Sequence, residues 1–309
     1  MKHAPKLTLS MAHPKYWLTW IGYAIFWLVV QLLPYAVLMA LGRGLGRLMQ
    51  RLLKKRSRVA ERNLELCFPD MPQAERDNLV TRNFECAGMA LIETGIAWWW
   101  PDWRTRPLCH IEGMEHLEQA SAEGQGVVLL SMHFQTLEIG GRIYAMEHEG
   151  TGFYRPNKNP IIEYFQYHGR SRGCGDLIDK RDIKGAIKRL KQGGRVWYAP
   201  DQDYGRRSSI FVPFFAVPDA PTIPATANLA KLGRAKVITF VQSRLPNNKG
   251  YLLSIRPPLE NFPTGDQEAD TIRINQVIEE EVLKQPEEYM WLHRRFKTRP
   301  EPDMPSYYT

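Results

Sequence analysis

The chain has little cysteine and no pairing pattern in what it has: Cys67, Cys86, Cys109 and Cys174 lie far apart, with no Cys-x-x-Cys and no ligand cluster. Such spacing signals neither a disulfide scaffold nor a zinc site. Reduced thiols in a cytosol-facing domain fit it best. Internal repeats and low-complexity tracts are missing, and so are recognisable RNA- or DNA-binding motifs, which argues against a nucleic-acid binder. Ser131 has no elbow glycines around it, and Cys109 and Cys174 lack the surroundings of an activated thiol. Most conspicuously, Tyr16 to Gly42 holds no charged residue at all.

What is present bounds the rest. A length of 309 residues with 44% hydrophobic content is enough for one large catalytic domain plus an appendage. The net charge of +8 points to acidic partners without choosing among nucleic acid, anionic lipid and an acidic protein.

The uncharged run Trp17 to Met39 exceeds the ~20 apolar residues that a membrane-crossing helix needs. It starts on the aromatic cluster Tyr16, Trp17 and Trp20, and is too long for a cleaved leader. Arg43, Arg47, Arg51, Lys54, Lys55, Arg56, Arg58 and Arg62 follow, against the single acid Glu61; a basic flank of this kind marks the cytoplasmic side of a membrane and attracts anionic headgroups. A membrane anchor over 1–45 is therefore expected. Pro34 and the glycines Gly42, Gly44 and Gly46 leave open a kinked or interfacial helix that enters the bilayer without crossing it.

A basic, helical connecting region is expected over 46–105, closing on Trp98, Trp99, Trp100 and Pro101. The three indoles suit either core packing or an interfacial belt or acyl groove. An α/β domain should occupy 106–300, with a Pro-rich tail at 301–309. Gly126 to Met132 reads as a buried strand, and Val196 to Tyr198, Val237 to Val241 and Tyr251 to Ile255 as further strands. Helices are expected over Gln135 to Met146, Pro160 to Tyr167, Asp182 to Gln192 (Asp182 as N-cap, Gly193 at C′), Thr222 to Leu232 and Ala269 to Lys284.

In Ser131-Met-His-Phe-Gln-Thr-Leu-Glu138 a histidine ends a buried strand and a carboxylate follows one turn into a helix. Both belong at the carboxyl edge of the sheet, where open α/β sheets bind ligands. A carboxylate on one imidazole nitrogen fixes the tautomer and makes the other nitrogen a general base. A satisfied structural histidine beside a helix-start acid would read the same way.

Further along come the constrained turn Tyr154-Arg-Pro-Asn-Lys-Asn-Pro160, the cationic Gly169-Arg-Ser-Arg172, and the polar loop Ala199-Pro-Asp-Gln-Asp-Tyr-Gly-Arg-Arg207. With the His133/Glu138 motif they resemble the bacterial lauroyl/myristoyl acyltransferases of lipid A biosynthesis. The resemblance extends through His13-Pro-Lys-Tyr-Trp-Leu-Thr-Trp20, Arg62-Asn-Leu-Glu-Leu-Cys-Phe-Pro69, Glu93-Thr-Gly95 and Met290-Trp-Leu-His-Arg-Arg-Phe-Lys-Thr-Arg-Pro300, and leans towards the lauroyl and palmitoleoyl members.

The resemblance implies a glycerol-phosphate-acyltransferase-like α/β fold, a mixed sheet flanked by helices, with an N-terminal membrane helix. It implies transfer of an acyl chain from acyl carrier protein to the 3-hydroxyl of a hydroxyacyl chain on Kdo2-lipid IVA, at the cytoplasmic face of the bacterial inner membrane. No cofactor or metal is called for. Its motif falls on His133 and Glu138 as the acid-base pair, with its arginine on Arg170. The oxyanion would be met by Arg170 or by backbone N–H groups near the start of the Gln135 helix. Arg155, Asn157, Lys158, Asp201, Asp203, Arg206 and Arg207 become candidates for the acceptor. Lys184, Lys188, Arg189 and Lys191 become candidates for docking the acidic carrier protein, because such docking relies on charge. The wider superfamily's Pro-Glu-Gly element is replaced here by Pro200-Asp-Gln-Asp-Tyr-Gly205, so the phosphate-reading roles of that element are not carried over. Rival readings are an acyl-thioesterase, a transferase for another glycolipid or glycerophospholipid, and a nonenzymatic basic membrane tether.

Overall fold

The structure, a computed structural model, describes residues 4–308; the first three residues of the expected anchor and the last of the expected tail lie outside them. The uncharged N-terminal run is not one helix. α1 (Trp17–Leu32) stops at Leu33, which is extended (φ −88°, ψ 145°), and α2 (Tyr35–Leu52) starts after Pro34. Proline has no N–H and disfavours helix in the residue before it, so the break falls where the sequence places Pro34. This corrects the expected spanning helix: among the described residues no helix is long and apolar enough to cross a membrane.

The two helices instead lie against the body of the protein. Tyr23 and Phe26 of α1 meet the ring of Trp99. α2 packs on α4 (Gln73–Trp99), with Gly42 and Gly46 against Met89 and Phe84. Their other face is left open: Leu18 is 85% exposed and Leu32 74%, with Trp17, Ile21, Ile25, Leu41, Leu45, Leu48 and Leu52 also exposed. The boundary expected at residue 45 falls inside α2.

After α3 (Lys54–Cys67), α4 and the short α5 (Asp102–Thr105), strands and helices alternate. The order is β1 (Cys109–Glu112), α6 (Met114–Ala122), β2 (Gly126–Leu130), α7 (Leu137–Ala145), β3 (Gly150–Tyr154), α8 (Pro160–Cys174), β4 (Gly175–Asp179), α9 (Ile183–Lys191) and β5 (Arg195–Tyr198). A hairpin of β6 (Ile210–Phe214) and β7 (Val217–Thr222) leads to α10 (Ala225–Gly233), β8 (Ala235–Arg244), β9 (Tyr251–Pro258) and α11 (Gln267–Lys284). Seven strands form one sheet in the order β1-β9-β8-β2-β5-β3-β4, parallel except for the β8–β9 pair. The expected mixed sheet flanked by helices is what the chain builds.

β2 is buried on both faces. Val128 and Leu130 pack with Leu190, Ala230 and Ile278, while Val127 and Leu129 pack with Ile96, Leu117 and Ile143. This double burial explains its unbroken apolar sequence. α9 is capped as its sequence says, with Asp182 accepting from the Gly185 N–H and Gly193 at φ 78°. α8 runs well past Tyr167, to Cys174. α10 begins after Pro224 rather than at Thr222, which belongs to β7.

The expected tail is also docked. Tyr307 Oη donates to Asp219 (2.8 Å), Tyr308 Oη to Asn63 (2.5 Å), and Arg62 Nε donates to the Tyr307 carbonyl (2.7 Å).

Candidate active site

β2 and β5 are parallel neighbours with Leu130 level with Tyr198. Three residues past Leu130 stands His133, and three past Tyr198 stands Asp201, so equal offsets from a shared register deliver the two side chains to one point. The Asp201 carboxylate accepts twice from His133: from the backbone N–H at Oδ2 (2.8 Å) and from ring Nδ1 at Oδ1 (2.5 Å). Asp201 is buried. Burial pushes its carboxyl up, but the charge and hydrogen bonds of His133 outweigh that and hold it below the usual aspartate value. With the carboxylate on Nδ1–H, the lone pair rests on Nε2, and His133 lines a cavity of about 770 Å³.

The loop carrying His133 is fastened from a second side. Its carbonyl accepts from Met290 N (3.1 Å), and Gln135 N donates to Glu288 O (2.8 Å). Asn83 of α4 holds that C-terminal segment by donating to Glu287 O and Tyr289 O.

Glu138 was expected on the imidazole, but it does other work. Its Oε1 accepts from Arg170 Nε (2.8 Å) and Nη2 (2.5 Å), and its Oε2 accepts from Trp98 Nε1 (3.0 Å). The carboxylate that orients His133 is Asp201, a residue expected from the sequence among the acceptor contacts. Arg170 lies in α8, and Gly169 beside it is what lets α8 approach: a Cβ there would stand 2.2 Å from Trp98 Cγ. Burial alone would lower the Arg170 pKa; the Glu138 charge and hydrogen bond prevail and raise it. Glu138 thus occupies two of the three guanidinium nitrogens. His133, Glu138 and Arg170 all line the same cavity.

Near the start of α7 the Gln135 N–H donates to Glu288 O and the Leu137 N–H to Phe134 O, so neither is available for the expected oxyanion site. Arg155 lines the cavity and is exposed. Asn157 and Lys158 sit on the exposed turn before α8, where Asn157 Oδ1 accepts from Asn159 N. Asp203 also lines the cavity, yet its oxygens are engaged by Gly205 N, Thr298 N and Thr298 Oγ1. Arg206 donates to the Arg299 carbonyl, and Arg207 is exposed. Lys184, Lys188 and Lys191 face solvent on α9, whereas Arg189 pairs with Asp176.

Nucleophilic catalysis by a thiol finds no support. Cys174 lines the cavity, but burial pushes it up to about 12, and Cys109 likewise. Cys67 and Cys86 are pushed up by burial too. At pH 7.5 thiol-directed alkylation is expected to leave turnover of the folded enzyme within about twofold of the untreated protein, since the thiolate is the reactive form. Assaying activity after iodoacetamide treatment checks this, and rapid stoichiometric inactivation would contradict it.

Comparison of the whole chain with known proteins shows its family. The profile of the family described as bacterial lipid A biosynthesis acyltransferase matches residues 4–298. The Escherichia coli (strain K12) lipid A biosynthesis lauroyltransferase is 49% identical over 308 residues, covering 100% of both chains. The lipid A biosynthesis palmitoleoyltransferase of the same organism is 43% identical over 96% of each chain. Its lipid A biosynthesis myristoyltransferase is 31% identical over 96% of this chain and 92% of its own.

Proposed function

Since the chain belongs to the bacterial lipid A biosynthesis acyltransferases and stands close to the lauroyltransferase, we propose that it moves a fatty acyl chain, lauroyl, from acyl carrier protein to the 3-hydroxyl of a hydroxyacyl chain on Kdo2-lipid IVA. The single observation that carries the mechanism is the imidazole clamped by a buried carboxylate at the wall of a cavity.

His133 Nε2 takes the proton of the acceptor hydroxyl as its oxygen attacks the thioester carbonyl. The tetrahedral oxyanion accepts from Arg170, whose guanidinium is held in place by Glu138. Such a donor is typically worth about 3–4 kcal/mol in the transition state. Collapse breaks the C–S bond, and the imidazolium returns its proton to the departing thiolate. Asp201 stabilises that imidazolium, and no acyl-enzyme forms.

Partners follow from charge and apolar surface. Lys184, Lys188 and Lys191 project from α9, and Lys180 and Ile183 at its N-terminal end line the cavity, so an acidic carrier protein docked on that helix would deliver its thioester beside His133. Arg155 lines the cavity, and Asn157, Lys158 and Arg207 are exposed; polar groups of this kind suit the phosphates or Kdo carboxylates of the acceptor. The open apolar face of α1 and α2, with Arg51, Lys54, Lys55 and Arg58 exposed just beyond it, supports interfacial seating on the bacterial inner membrane.

The test offers purified protein an acyl carrier thioester with Kdo2-lipid IVA and lysophosphatidic acid together, and identifies the products by mass. Acylated Kdo2-lipid IVA in at least tenfold excess is expected. Preferential acylation of the glycerophospholipid, or accumulation of free fatty acid alone, would overturn the reading.

A further inference from the structure

Beneath His133 the cavity runs down the face of the sheet covered by α7 and α8. Leu129 and Trp197, level with each other in the β2–β5 register, look into it. Gly152 of β3, level with Trp197, contributes no side chain there; a Cβ would stand 3.1 Å from Cys174 Sγ. One level further down lies Gly150, where a Cβ would come within 2.8 Å of Tyr144 Cε1. The Tyr144 ring thus lies directly over the chain at the bottom of the cavity, edge-on to Phe240 at 5.4 Å. Its hydroxyl accepts from Arg195 Nη1 and donates to Glu149 O, both at 3.3 Å. The result is a slot lined below His133 chiefly by apolar groups, with Arg142 and Thr151 among them, and with a pinned aromatic ring for a floor.

We propose that Tyr144 and Gly152 set the length of the transferred acyl chain, Tyr144 as the stop and Gly152 as the clearance part-way down; this rests on the acyl-transfer reading. From the level of Ala199, past the strand end, to that of Arg195, beside Gly150, is four residue steps. At the rise of a strand that is about 13 Å, a depth suited to a medium-length saturated chain. A longer chain has to displace the ring and face the Arg195 guanidinium behind it. A side chain at position 152 would fill the slot part-way and reject the parental chain in favour of a shorter one, because overfilling an apolar pocket is penalised by displacement of its neighbours.

The experiment uses the full-length protein with an equimolar mixture of decanoyl, lauroyl, myristoyl and palmitoyl carrier thioesters and Kdo2-lipid IVA, with products weighed. In parallel, calorimetry measures binding of the matching free fatty acids. Tyr144→Leu should raise the ratio of longer to parental product about tenfold or more, and Gly152→Val should raise the ratio of shorter to parental product by as much. The binding cut-offs should shift in the same directions. Unchanged product ratios and cut-offs in a folded Gly152→Val protein would overturn the assignment even if Tyr144→Leu did not fold. A parent that binds the fatty-acid series with a sharp length cut-off yet acylates no lipid would instead defeat the transfer reading and leave the length assignment standing.

Discussion

Asp201→Asn is expected to fold normally and bind both substrates, yet transfer acyl groups about 10²–10⁴ times more slowly. The reason is a count of donors and acceptors. His133 presents two N–H groups to position 201, one from the backbone and one from the ring, and a carboxylate has an acceptor for each. An asparagine has one oxygen and one NH2. If the oxygen keeps the backbone N–H, the NH2 faces Nδ1 and forces the proton onto Nε2, which removes the lone pair that accepts the hydroxyl proton. Steady-state kinetics should show the loss in kcat with KM little changed. A loss confined to KM would place Asp201 in binding instead. A stability signature accompanies it. Because the folded carboxyl titrates below its ordinary value, its contribution is complete at neutral pH and is lost as pH falls through the folded value. The Asn variant lacks that acid-limb dependence.

The second large effect is on stability. Arg244 at the end of β8 is buried between α4 and the C-terminal segment. Its Nε and Nη2 donate to the two oxygens of Glu93 (2.6 and 2.7 Å), and its Nη1 to Glu288 (2.5 Å). Tyr251 Oη adds a hydrogen bond to Glu93 (2.9 Å). Truncating one member of such a cluster leaves buried charge of one sign unpaired, which costs about 3–5 kcal/mol. Arg244→Ala should therefore melt roughly 6–15 °C lower. Glu288 also accepts from Gln135 N in the His133 loop, so activity should fall before global unfolding as temperature rises. Calorimetry against an activity–temperature profile checks both. A variant that melts with the parent would show that the cluster contributes nothing net.

How much of this could be read from sequence depends on how local each signal is. β2 announces itself because burial on both faces forces an unbroken apolar run, and α9 because Asp182 and Gly193 punctuate it within a few residues. β3 and β4 escape notice: Gly150, Gly152 and Gly175 give no alternation, being chosen for close approach to Tyr144, Cys174 and the neighbouring strand. The anchor was half legible. Its lack of charge correctly marks an apolar surface, but Pro34 divides it, and half of each helix is spent on packing against α4.

At the site, His133, Glu138 and Arg170 were found by motif, and they do share one cavity. Their wiring was not legible. A carboxylate five residues after a histidine looks like its partner, whereas the partner is 68 residues away by chain and adjacent by strand register. The available clue was the equal offset of His133 and Asp201 from two predicted strands, which becomes a signal only once those strands are known to be parallel neighbours. Asn83 and Arg244 gave no such clue, since each acts through a contact made across the fold.

The most direct test of the His133–Asp201 base is a double-mutant cycle on single-turnover transfer from acyl carrier protein to Kdo2-lipid IVA, using His133→Ala, Asp201→Asn and the double variant. If Asp201 acts only through the imidazole, the double variant should be no slower than His133→Ala within about threefold, since groups that act as a unit are non-additive. If the two losses multiply, Asp201 does not act through the imidazole, and if His133→Ala alone transfers at near the parental rate, the histidine is not the base; either result contradicts the account.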